Sequence, residues 1–478
     1  IILQNNSVTI DNNAQCSTLT VKPGGIVTVM EGDTLITEHI TLETHTNDST
    51  TAKLLNYGWI ISTNGISIEK YINKNTWENI SPPVSNETSM MFNATEEELF
   101  YWDASVQEHI KIADNTTNLH TMNGYHYRNS SSDTTIMFNG QLNQGRQEHN
   151  LFINTQDTIS RHWYLIGNPY PSPIDWDHSS WDKANVANSI YFKSKNSDQY
   201  HTYVNGISNP EGTSNGIIPE MKGFWVYAKA NGTIAIEDSA QKLGIVQKKS
   251  FQQKADKIIR LGMSNNESEY EAVIIFNNQA SSGFDPLYDA FHLDIPQIGF
   301  SYSPGLFSID SNSNLLAINN LPENKKISIP LGYTIINSGQ YTLSLNENTS
   351  MNDTLYLTDM EEEKTTRLSD NNYTFIATRG NTYNRFTLTN EMTDTITQLK
   401  NPVINKPFDV YAIRKSVIIL SNKTAKARVR IINILGKTMY DNKIVLDRNT
   451  KIPLESSGIH IVLIKTDDII QSEKVFLK

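Results

Sequence analysis

Two pairs of carboxylates stand out for their spacing. Asp285 and Asp289 lie four residues apart in Phe284-Asp285-Pro286-Leu287-Tyr288-Asp289-Ala290, and Asp175 and Asp177 flank Trp176 after a proline-rich turn. Carboxylates this close, beside backbone carbonyls, suit a hard cation such as calcium, which takes roughly six to eight oxygens. A pair held roughly 5–10 Å apart could also serve as acid and base on a glycosidic bond. The plainer use is structural, because short Asp side chains bond nearby backbone amides and fix a turn. The Asp175 pair lacks the glycine and terminal glutamate of an EF-hand loop. Among 11 histidines, His120 and His126 come nearest to a ligand pair, with no third ligand beside them and a reading as exposed loop residues. One cysteine, Cys16, rules out a thiolate cage and reads as a small buried strand residue. Motifs for zinc hydrolysis, a serine nucleophile elbow, phosphate cradling and dithiol redox work are all missing. No catalytic residue is assigned, and calcium is the one cofactor the residues could take.

Aromatic rings offer binding rather than catalysis. The seven tryptophans, Trp59, Trp77, Trp102, Trp163, Trp176, Trp181 and Trp225, all precede residue 230. Flat rings on a sheet face stack on the apolar faces of sugars while Asn, Gln and Asp bond the hydroxyls. Trp176 and Trp181, with Tyr170 beside them, are the expected platform. The competing use of these rings is to fill thin sandwich cores.

The elements that must position such residues are strands. The chain is 38% hydrophobic and 19% charged over 478 residues, and rich in Asn, Ser and Thr, which favour turns and strand edges over helix interiors. A length of this order predicts three to four domains at roughly 100–200 residues each. The fold class expected is all-β, a multidomain chain of β-sandwiches and jelly-roll-like modules. A net charge of −11 argues against nucleic acid as a partner. No apolar run approaches the roughly 18–20 residues needed to span a membrane. The chain begins in strand material (Ile1-Ile2-Leu3) without a signal peptide, which reads as a mature or truncated fragment.

Four segments follow from the punctuation. Residues 1–66 carry short alternating runs separated by Pro23-Gly24-Gly25, Glu31-Gly32-Asp33 and Asn64-Gly65, which predicts a right-handed parallel solenoid or a sheet completing the next domain. Residues 67–245 are aromatic-rich. Residues 257–390 resume strand alternation in six or more runs, as in a β-sandwich. Residues 246–256 and 391–407 read as linkers, and 408–478 form the last domain.

That last domain carries the most specific pattern. Gly458-Ile459-His460-Ile461-Val462-Leu463-Ile464-Lys465, a polar turn and Ser472-Glu473-Lys474-Val475-Phe476-Leu477-Lys478 make two strands ending on a basic terminus. Upstream, a strand through Leu435 turns at Gly436 and returns through Tyr440. This resembles the type A C-terminal sorting domain of proteins exported by the type IX secretion system in Bacteroidetes, with Gly436, Gly458, Lys474 and Lys478 at the matching positions and His460 where Tyr is more usual. The resemblance implies an Ig-like seven-stranded sandwich docking on translocon and shuttle proteins, then cleavage, leaving the body secreted or on the cell surface. Trp77 before Ser-Pro-Pro and Trp163 before Gly-Asn-Pro-Tyr-Pro resemble the jelly-roll-like module of Bacteroidetes surface proteins. Triplets at Asp33-Thr34, Asp133-Thr134, Asp157-Thr158, Asp238-Ser239, Asp353-Thr354 and Asp394-Thr395 resemble the O-glycosylation signal of exported Bacteroidetes proteins, making Thr34, Thr134, Thr158, Ser239, Thr354 and Thr395 the acceptors.

The function these readings imply is non-enzymatic: an extracellular or surface-attached protein that adheres to, or binds, a polysaccharide or host matrix ligand. The alternative is an accessory region of a larger secreted hydrolase whose catalytic domain lies upstream. A third reading, a glycosidase or lyase within 67–245, would need the carboxylates above.

Overall fold

The structure, a computed structural model, describes residues 1–46, 50–93, 97–153, 162–193, 199–243, 257–293, 303–324, 326–349, 354–392, 408–413, 416–421, 425–433, 437–446, 450–454, 456, 458–466 and 470–477. It is all-β, with two short 3-10 turns and no α-helix among the described residues. No helix of the described residues is long and apolar enough to cross a membrane. The chain divides into two compact units, Ile1–Met392 and Thr393–Lys478.

The first unit opens with nine strands: β1 (Ser7–Ile10), β2 (Ala14–Gln15), β3 (Thr18–Val21), β4 (Ile26–Val29), β5 (Thr34–Thr37), β6 (His39–Leu42), β7 (Lys53–Asn56), β8 (Trp59–Ser62) and β9 (Ile66–Ile72). Every third strand pairs, always parallel, giving sheets β1-β4-β7, β2-β5-β8 and β3-β6-β9. The chain thus winds through three rungs whose side chains stack in register. Ser7 lies beside Ile26 and Ile26 beside Lys53, while Gln15 lies beside Ile36 and Ile36 beside Ile61. Alternation decides the faces: Val27, Val29, Ile40 and Leu54 point inward and are fully buried. Polar ladders run between rungs, where Asn13 accepts the Thr34 N–H at 2.9 Å and Lys22 pairs with Glu43 at 2.7 Å. Before β8, Gly58 is required, because a Cβ there would stand 2.3 Å from the carbonyl oxygens of both Met30 and Asp33.

The last rung is closed by two glutamines. The Gln241 side chain accepts the Asn56 N–H at 3.1 Å and donates to the Asn56 carbonyl at 2.9 Å. Gln144 treats Ile60 the same way, at 2.8 and 2.9 Å. Each amide replaces one residue of a missing neighbour strand, so two otherwise open backbone positions are satisfied. β9 is instead continued by the antiparallel strand Thr134–Leu142, with Ile72 opposite Thr134 and Ile66 opposite Gly140.

Beyond the rungs, Trp163–Gly167, Gly223–Tyr227, Ile190–Phe192, His201–Val204 and Ile207–Asn209 form a five-stranded sheet. Residues 258–389 build a sheet of eleven strands. The expected boundaries do not interrupt packing. One core runs from Val21 through Ile66, Ile68 and Phe138, across the 66/67 division. Another joins Trp163, Leu165, Tyr191 and Trp225 to Val273, Ala290 and Ile318, across the division between 245 and 257. The three expected segments are therefore parts of one unit. The linker expected at 246–256, and most of that at 391–407, lie outside the described residues.

Among its described residues the second unit has seven strands in two antiparallel sheets. One contains Phe408–Ile413, Ser416–Ser421 and Thr450–Pro453; the other orders Thr438–Leu446, Ala425–Asn433, Gly458–Lys465 and Ile470–Leu477. Val417, Ile419 and Ile452 from the first sheet share a core with Val429, Ile431, Val462, Ile464 and Val475 from the second. The last two strands pair antiparallel from Gly458 opposite Leu477 to Lys465 opposite Ile470.

Candidate functional site

The expected aromatic platform is part of the interior. Trp176 is 0% exposed and Trp181 7%, and they meet edge-on at 4.9 Å. Their indole N–H groups donate to the carbonyls of Asn188 and Asp175, each at 2.9 Å. Tyr170 is fully buried and donates to the Gly145 carbonyl at 2.7 Å. No ring among the three offers a face to a sugar, which corrects the expectation: satisfied polar tips let these rings fill a thin core.

The carboxylates hold local structure. Asp175 pairs with Lys242 at 2.6 Å and accepts the Asp177 N–H at 3.0 Å, while Asp177 accepts from the Tyr203 hydroxyl. Asp289 is fully buried. Its two oxygens accept the N–H groups of Asp285 and Asn320, both at 2.6 Å. Burial pushes the Asp289 carboxyl up to about 7. The carbonyls of the same turn are spent on distant donors: Pro286 on the Asn188 N–H at 2.7 Å, Leu287 on the Asn205 amide at 2.6 Å, and Tyr288 on the Asn320 amide. The turn is thus a key that ties Asn188 and Asn205 to Asn320 on the strand Leu315–Leu321. Among the described residues no three His, Cys, Asp or Glu side chains are grouped as a metal donor set.

His120 and His126 diverge. His120 is exposed, whereas His126 is buried on the strand Tyr125–Arg128, hydrogen-bonded to Asn79 at 2.5 Å and stacked on Trp77 at 4.6 Å. Burial, then the neighbouring His109 and the lysines Lys193 and Lys222, hold His126 well below the ordinary imidazole range. It is a neutral, packed ring rather than a loop histidine. Cys16 is half-buried beside Thr37, outside any strand.

Of the seven tryptophans only Trp59 is more than half exposed, at 51%. It stands on the outer face of β8, in register with Thr34 on β5. Two residues along, Ile61 (43%) sits beside Ile36 (41%), which sits beside Gln15. A parallel sheet face therefore presents an indole and two isoleucines bordered by uncharged Asn13, Gln15 and Thr34. The signal was legible in the alternation Trp59-Ile60-Ile61, where the buried Ile60 forces its neighbours outward.

In the second unit, Gly458 has φ of +100°, the left-handed region that favours glycine. His460 is buried and bonds Ser456 at 2.8 Å and the Gly458 carbonyl at 2.9 Å, so the ring is accommodated on its strand. Lys474 lies opposite Ile461; Gly436 and Lys478 fall outside the described residues. Of the glycosylation candidates, Ser239 is exposed in the turn Asp238–Ala240, and Thr34 and Thr134 are half-buried on strands. Thr354 accepts from Arg367 at 2.9 Å, and Thr158 and Thr395 fall outside the described residues.

These features define an all-β chain in which a large first unit with an apolar outer face precedes a small two-sheet unit. A family model for a domain of unknown function, DUF8693, matches residues 1–389, and the chain belongs to that family. The match covers nearly all of the first unit and stops before the second. No curated protein matches the chain significantly. Among solved structures it is similar to the BSP domain of a biofilm associated protein, with 8% identity, 86% of this chain and 92% of that chain covered, and a TM-score of 0.16. It is also similar to dimeric latent PorU from Porphyromonas gingivalis, with 9% identity, 72% of this chain and 35% of that chain covered, and a TM-score of 0.14.

Proposed function

We propose that this is a non-enzymatic protein of the cell exterior, exported by type IX secretion through residues 408–478, whose first unit adheres to glycan or matrix. The observation that carries the binding half is the outward face around Trp59. A half-exposed indole beside Ile36 and Ile61, edged by amides and a hydroxyl, offers what a sugar ring needs: an apolar surface to stack on and neutral hydrogen-bonding groups beside it. Export is supported by the sorting-domain pattern at Gly458 and Lys474, and surface exposure by the accessible glycosylation candidate Ser239. Translocon and shuttle proteins are the partners this reading gives the second unit.

The test is a panel of polysaccharides and matrix proteins presented to the full chain and to Trp59→Ala. Saturable binding that weakens at least about tenfold in the variant, the effect of losing roughly 1.4 kcal/mol of ring contact, supports the reading. Equal binding by both proteins removes the Trp59 face from it.

A further inference from the structure

The second unit carries a charge opposite to the rest of the chain. Residues 393–478 hold 15 Lys and Arg against 8 Asp and Glu, a balance of +7. With −11 for the whole chain, the remaining 392 residues stand at −18. Strand register concentrates part of this excess on one sheet face. Along Ala425–Asn433, Ala427, Val429 and Ile431 are buried while Lys426, Arg428 and Arg430 alternate outward and are exposed. On one side Arg428 is paired directly with Lys443, and on the other with Lys465, both exposed. Three cations therefore form a row across three adjacent strands.

Like charges directly opposite one another destabilise a sheet. Asp441 offsets part of that repulsion by pairing with Arg428 at 2.7 Å and Arg430 at 2.8 Å. Among the described residues no carboxylate pairs with Lys426, Lys443 or Lys465. A cation row that opposes folding and lies open is suited to an anionic partner.

We infer that the face formed by Lys426, Arg428, Arg430, Lys443 and Lys465 binds an acidic polysaccharide. The three outward cations of the central strand repeat at about 6.8 Å, two residues of strand rise, which fits an extended polymer with recurring carboxylate, sulfate or phosphate groups. None of these five residues, and none of the residues paired with them in the central strand's two ladders, is aromatic, so the cation row itself offers no ring to anchor a folded protein. Val445, exposed opposite Lys426, is a single short aliphatic side chain and gives little to insert into a lipid surface.

The experiment uses the full chain on immobilised dextran sulfate and polygalacturonate, with neutral dextran as the blank. Two variants are compared, Lys426→Gln/Lys443→Gln/Lys465→Gln and, away from the face, Lys437→Gln/Lys451→Gln. Each cation near an anionic surface contributes roughly a fivefold factor. The face variant should therefore bind on the order of 10- to 100-fold more weakly and elute at lower salt, while the control stays within about twofold of the parent chain. Its thermal midpoint at low salt should hold or rise, since removing Lys443 and Lys465 relieves repulsion. The proposal is overturned if both variants weaken equally, if the face variant loses stability along with binding, or if the parent chain is not retained. It is also overturned if vesicles containing phosphatidylserine bind as well as the polysaccharides.

Discussion

Asp289 shows how one side chain can serve as a structural key and leave a trace in solution. Its oxygens accept only backbone N–H groups, and burial raises it to about 7 against an ordinary value of about 3.9. Between those values the folded chain holds a proton that the unfolded chain has released, so this carboxyl's contribution falls as pH rises from about 4 to 7. Asp289→Asn should flatten that part of the stability profile, read from urea midpoints across the range. Asp359 sits differently, fully buried against Arg385 at 2.9 Å with the Tyr373 hydroxyl also at 2.9 Å. Asp359→Ala should cost about 3 kcal/mol or more, because among the described residues Arg385 is left buried with the exposed Glu361 as its one anion. A denaturation midpoint unchanged from the parent would refute this. The sequence disclosed the Asx-type turn at Asp285 and Asp289 because short-range bonding is encoded locally. It did not disclose the burial of Trp176 and Trp181, because the Asn188 carbonyl that satisfies one of them is placed by tertiary structure.

The first three rungs depend on how their edges end. Gln144 and Gln241 are uncharged side chains with nothing in their neighbourhood in sequence to suggest a cap, yet each supplies both a donor and an acceptor to a rung. Gln144→Ala or Gln241→Ala should destabilise the first unit by about 1–3 kcal/mol, the penalty for stranding backbone polar groups. The local sign would be faster hydrogen exchange at the Ile60 amide in the first variant and at Asn56 in the second. Protection factors equal to the parent's would show that the caps are dispensable. The strands themselves were legible from runs such as Ile26-Val27-Thr28-Val29 between glycine turns. Their every-third-strand pairing involves residues 19 to 27 apart, from Ser7 to Ile26 and from Ile26 to Lys53, beyond the reach of local pattern. Trp59→Ala, by contrast, should leave these protection factors intact, since its ring stands on the outer face.

At the scale of the whole molecule, two units with opposite charge and different architecture share one chain. The C-terminal unit was legible because its hairpins alternate strictly and its glycines punctuate them. The expected divisions at 66/67 and between 245 and 257 failed because continuity of a core is a property of packing, which strand signals and linker-like composition do not report. Residues 408–478 are proposed to direct the chain out of the cell. The most direct test expresses the full chain and a chain ending at Met392 in a Bacteroidetes host, with and without a working type IX translocon, and follows each to cytoplasm, envelope, surface and medium. The full chain should reach the surface or medium only when the translocon works, and the shortened chain should be retained. Export of the shortened chain to the same extent, or of the full chain without the translocon, would contradict the account.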